Sequence, residues 1–141
     1  MSATLSDLKP KIVVRERDYE QILSLAIAVE DRVPAVSRDL QEEMDRAQIV
    51  PDSTLLSGVV RMGSRVTFRM DGKGQRQVSL VFPGEEDLST GRVSILTPVG
   101  AALIGLSEGQ VIAYSAPDGR LHQLEILTVE APEKHGEPGS A

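Results

Sequence analysis

The apolar residues of this chain change period once, and that change limits what it can fold into. From Asp18 to about Ile49 they recur at helical spacing: Tyr19, Ile22, Leu23, Ala26 and Val29, then Val36, Leu40, Met44 and Ala47. From about Gly58 onward the period is two: Val66, Phe68 and Met70 alternate with Arg65, Thr67 and Arg69. A run of helix followed by a run of strand makes the chain α+β.

The helical part divides at Asp31-Arg-Val-Pro34, because proline suits the first turn of a new helix. Asp18, with Gln21 three residues on, fits an N-cap for the first helix. The second carries its charges, Arg38, Asp39, Glu42, Glu43, Asp45 and Arg46, mostly around the apolar face. The short connection predicts an antiparallel hairpin over residues 12–50 with arms of roughly 18–22 Å.

The strand part, residues 55–131, runs through "RVTFRM", a turn at Asp71–Gly74, "RQVSLVF", a polar loop, "RVSIL", "VIAYSA", a turn at Pro117–Gly119 and "LHQLEILTV". Short turns make a mostly antiparallel sheet. One stretch, "TPVGAALIGLSEGQVI" (Thr97–Ile112), interrupts the series. Thr97 is placed to cap a helix, Pro98 to occupy its first position and Gly105 to stop it. Val99, Ala102, Leu103 and Leu106 are the residues expected on the sheet, with the small alanines allowing close approach. The Pro/Gly-rich residues 132–141 read as a disordered tail.

Composition removes several functions. The formal net charge is −6, the reverse of what phosphate neutralisation requires, so direct, specific binding to nucleic acid is not expected. There is no cysteine, hence no disulfide and no thiolate metal site, and His122 and His135 lack metal-ligand spacing. The start carries no signal pattern, and the longest apolar run, Ile22–Val29, is too short to span a bilayer. A soluble, cytoplasmic chain with no membrane partner and no cofactor is expected, and a monomer, since no large apolar surplus is apparent.

The stretch "TPVGAALIGLSEGQVIAYSAPDGRLHQLEIL", preceded by "GSRVTF" (Gly63–Phe68), resembles the C-terminal domain of the GreA/GreB transcript-cleavage factors. The short hairpin and "MDRAQIV" (Met44–Val50) are most similar to the Rnk branch, the regulators of nucleoside diphosphate kinase. The resemblance implies an FKBP-like domain behind the hairpin and a partner, RNA polymerase, bound at the rim of its secondary channel. It also implies a docking loop at Thr97, Pro98 and Val99. The residues alone allow Pro98 to be a helix start and nothing more.

The resemblance has a gap. Cleavage factors of this family hold a second magnesium with an Asp-x-x-Glu pair at the tip of a long coiled coil. Here the tip offers Glu30 and Asp31, adjacent in sequence, on arms about one-third as long. The leading expectation is a non-catalytic polymerase-binding regulator that competes with Gre-type factors. The alternative is a cleavage factor with Glu30 and Asp31 as its metal-holding pair. A prolyl isomerase, suggested by the FKBP-like fold alone, needs an aromatic-walled pocket. This chain has only Phe68, Phe82, Tyr19 and Tyr114.

Three weaker groupings read as solvated charge. Glu85, Glu86 and Asp87 form an acidic loop, and Arg15, Arg17, Arg61, Arg65 and Arg69 a basic face. His122 has no evident Asp or Ser partner in sequence.

Overall fold

The computed structural model describes residues 10–115 and 119–132. Strand β1 (Val13–Arg15) leads into α1 (Glu16–Ala28), followed by α2 (Pro34–Arg46) and β2 (Gln48–Val50). The rest comprises β3 (Arg65–Met70), β4 (Lys73–Val81), a 3-10 turn at Leu88–Thr90, β5 (Arg92–Ser94), α3 (Pro98–Leu103), β6 (Val111–Ser115) and β7 (Leu121–Glu130). The chain is α+β, and its main sheet is mixed, in the order β5-β4-β3-β7-β6. Three of its pairings are antiparallel, while β5 lies parallel to β4, with Val81 opposite Ser94.

The helices begin and end somewhat differently from expectation. Arg15, not Asp18, is the N-cap of α1, and its own side chain makes no capping hydrogen bond. Glu16 and Asp18 fall in the first turn, where negative charge favours the helix dipole. α2 starts on Pro34 as expected but stops at Arg46, and the chain then turns extended to form β2. β2 pairs in parallel with β1, placing Val13 opposite Gln48 and Arg15 opposite Val50. Glu43, expected on the polar side of α2, is 3% exposed. Its carboxylate accepts two hydrogen bonds from the Arg46 guanidinium, at 3.1 and 2.8 Å, and Arg46 also donates to the Pro10 carbonyl. A buried acid is tolerable here because its own helix supplies a forked donor.

One core serves both halves. Ile22, Ala26, Leu40 and Met44 of the helices join Val66, Phe68, Leu80 and Leu124 of the sheet in a single buried cluster. Ser37, fully buried between α1 and α2, donates to the Ala26 carbonyl at 2.6 Å, so its hydroxyl is satisfied. The turn expected at Pro117–Gly119 includes residues outside the described range, as do residues 133–141 of the expected tail. Pro132 itself packs at Gly63, where an added β-carbon would lie 3.1 Å from the proline ring.

Candidate functional site

The corner joining β5 to α3 is built as its residues dictate. The Thr97 hydroxyl accepts from the Gly100 N–H at 3.0 Å and donates to the Ser94 carbonyl at 2.8 Å. It caps the helix and also ties it to the strand before it. Pro98 occupies the first helical position, where its missing N–H costs nothing. Gly100 sits so close to the strand end that a β-carbon there would meet the Ser94 carbonyl oxygen at 2.3 Å. Ala101, Ala102 and Leu103 are buried, while Thr97, Pro98 and Val99 are each half-buried. The helix ends at Leu103, with Ile104 as its C-cap. Gly105 follows at φ +80°, a value that favours glycine.

Glu30 and Asp31 lie in the 29–33 connection between α1 and α2, both exposed. Glu30 turns back along α2, accepting from the Gln41 side-chain amide at 3.1 Å. Among the described residues no group of three or more His, Asp or Glu is arranged to hold a metal ion.

The acidic run is engaged in its own loop. Glu86 accepts from the Gly84 N–H at 2.6 Å. Asp87 accepts from the Ser89 hydroxyl at 2.6 Å and N–H at 3.0 Å, bonds that hold its carboxyl below the usual range. The basic face is partly neutralised. Arg69 meets Glu125 at 3.3 Å, while Arg15 and Arg61 flank Asp18 near Asp52. Asp52 caps the Arg17 N–H at 2.9 Å, and Arg15 donates to the Thr54 carbonyl at 2.6 Å. Burial raises the Asp18 carboxyl above its ordinary value, against the lowering pull of the Met62 N–H and of Arg61 and Arg15. These charges join α1 to the segment entering β3.

His122 does have an acidic partner, contrary to the sequence reading. Its Nδ1 is 2.6 Å from Asp71 Oδ2. The other Asp71 oxygen accepts from the Gln123 N–H at 2.8 Å, and the Asp71 N–H donates to the Gln123 carbonyl. Asp71 and Gly72 form the β3–β4 turn with φ +55° and +73°, so the aspartate is both a turn residue and a clasp on β7. The Asp-Gly turn was legible in the sequence. Its pairing with a residue 51 positions away was not.

A capped, proline-started helix laid on a mixed sheet, behind two packed helices, defines a transcription-factor class when set beside known proteins. Residues 55–131 match the family model "Transcription elongation factor, GreA/GreB, C-term", and the chain belongs to that family. Residues 10–50 match the model "Rnk N-terminus", which places the chain with the Rnk-type members. It is 35% identical to the regulator of nucleoside diphosphate kinase of Escherichia coli K12, over 92% of this chain and 96% of that one. With the transcription elongation factor GreA of Roseiflexus castenholzii it shares 32% identity over 80% of this chain and 69% of the other. A solved GreA/GreB elongation factor from Nitrosomonas europaea superposes with a TM-score of 0.69 at 34% identity. That match covers 87% of this chain and all of the other.

Proposed function

We propose that this protein is a non-catalytic transcription regulator that binds RNA polymerase at the rim of the secondary channel and competes there with Gre-type factors. One observation carries the reading: the GreA/GreB C-terminal match extends over 55–131 and contains the Thr97–Pro98 helix start on an ordered, half-buried corner. In this reading Thr97, Pro98 and Val99 are the docking residues, the sheet unit is an FKBP-like domain and α1 with α2 an antiparallel hairpin. The protein acts as a cytoplasmic monomer.

The hairpin arms of 13 residues each span about 20 Å at ~1.5 Å per residue. Their tip offers Glu30, already hydrogen-bonded to Gln41, next to Asp31, rather than two acids a helical turn apart. The reading therefore assigns them no metal. Competition with a labelled Gre factor on core polymerase, with transcript cleavage followed in the same reaction, tests it. Displacement with loss of cleavage is expected. Failure to displace removes the polymerase rim as the target, and displacement with cleavage retained turns the assignment toward Glu30 and Asp31.

A further inference from the structure

A shallow, open groove of about 490 Å³ lies between α1 and the end of β4, lined by Glu20, Gln21, Ser24, Leu25, Phe82 and Pro83. Leu25 and Phe82 are half-buried and packed on the core, so the apolar floor is fixed in place. Ile27, 57% exposed, follows Ser24 by one helical turn on α1 and adds an exposed apolar side chain to that helix. The rim carries one sign of charge. Glu20 stands on the helical wall. The turn that follows Pro83 carries Glu85 and Glu86: Glu86 accepts from the Gly84 N–H at 2.6 Å, while the Glu85 N–H bonds the Phe82 carbonyl at 3.2 Å. Among the described residues, no lysine or arginine lines the groove.

The register places this groove at the same end of the sheet as the β5–α3 corner. β4 and β5 run parallel, Val81 stands opposite Ser94, and the Ile95 N–H bonds the Val81 carbonyl at 2.9 Å. Phe82 and Pro83 thus leave the sheet alongside Ile95 and Leu96, next to Thr97.

We propose that the groove is a second polymerase contact, separate from the Thr97–Val99 corner, occupied by a basic amphipathic helix of the enzyme. A bulky aliphatic side chain of that helix seats between Leu25 and Phe82. Its flanking Lys or Arg residues meet Glu20 and Glu86. A helix fits better than an extended segment because one wall is itself a helix, whose side-chain ridges accept another helix, and among the described residues no free strand edge lines the groove. The acidic rim selects a cationic partner. This proposal rests on the polymerase reading above, and its test separates the two.

Binding of the fluorescently labelled full chain to purified core polymerase is measured at low and high salt. The variants compared are Ser24→Trp, Glu20→Lys combined with Glu86→Lys, and Pro98→Glu. Residues 20, 24 and 86 are exposed, and an unchanged urea midpoint verifies each fold. Ser24→Trp, which fills the groove, is expected to weaken binding by about tenfold or more. The charge reversal is expected to do the same at low salt, with a smaller difference at high salt because screening removes it. Crosslinking from Ser24→Cys is expected to reach a Lys/Arg-bearing helix of the polymerase.

Wild-type-like affinity of both groove variants, with Pro98→Glu weakened, overturns the groove contact and leaves the polymerase reading standing. No binding by the wild type overturns both. A charge reversal without effect at either salt overturns the cationic partner, and a crosslink to a loop or strand overturns the helix.

Discussion

Ile12 packs directly over the α-carbon of Gly105: a β-carbon placed on that glycine would lie 2.7 Å from Ile12 Cβ. The contact is reinforced by the neighbouring Val13 N–H, which donates to the Gly105 carbonyl at 3.1 Å. Through it the segment entering the helices is set into the sheet unit, just past α3.

Gly105→Ala should therefore be costly. The new methyl meets a β-branched core residue that is fully buried, at a backbone φ of +80°. A loss of about 2–4 kcal/mol is expected from the overpacking and strain together, read from urea unfolding. In an Ile12→Ala background the cost of Gly105→Ala should shrink, since the clash is gone. Equal costs in both backgrounds would falsify the contact as the cause.

Leu103→Ala tests whether α3 is a structural lid on the sheet. Leu103 is fully buried on the last turn of that helix. Removing it should cost about 2–5 kcal/mol of unfolding free energy. A cost under about 1 kcal/mol would mean that α3 is only loosely held.

Pro98→Glu separates folding from docking. A glutamate at the first helical position suits the helix dipole, so the urea midpoint should move little. Polymerase affinity should fall by about tenfold, measured by titrating the fluorescently labelled chain with core polymerase. If the variant unfolds while its folded fraction binds normally, Thr97, Pro98 and Val99 are a helix start alone.

Asp71 predicts an acid-side dependence. Its carboxyl is held below its ordinary value of 3.8, first by the Gln123 N–H and then by His122. A lowered folded value means that stability is present above the unfolded pKa and is lost as pH falls through the folded one. The difference in urea midpoint between wild type and Asp71→Asn should be full above about pH 4 and shrink below it. Asparagine tolerates the positive φ of this turn, so backbone strain stays out of the comparison. A difference independent of pH would mean that the carboxylate charge contributes nothing.

Asp18 should behave in the opposite sense. Burial raises its value above 3.8, so its contribution is present at low pH and declines as pH rises through the folded value. Asp18→Asn keeps an acceptor for the Met62 N–H and removes the half-buried charge. At pH 7 its urea midpoint should equal or exceed that of the wild type. A lower midpoint would show that attraction to Arg61 and Arg15 outweighs the burial cost.

Much of the fold was legible because it follows from local rules. The period change separated helices from strands, Pro34 and Pro98 opened α2 and α3, and the Asp-Gly pair marked the β3–β4 turn. Strands β1 and β2 were missed. At three residues each they are too short to show a period, and their parallel pairing depends on residues 35 positions apart. Glu43 was misplaced because helical spacing alone cannot foresee that Arg46 and the Pro10 carbonyl close over it.

The candidate site divides in the same way. Sequence by itself determined the family, the capped start of α3 and the adjacency of Glu30 and Asp31, all of which are carried by neighbouring residues or by near-contiguous motifs. Tertiary structure alone decided that His122 meets Asp71, that Asp18 is half-buried near Arg15 and Arg61, and that Leu25 and Phe82 line one groove. Side-chain periodicity specifies which face of an element is buried. It does not specify which element arrives to bury it, because that choice belongs to strand register and to the packing of one shared core.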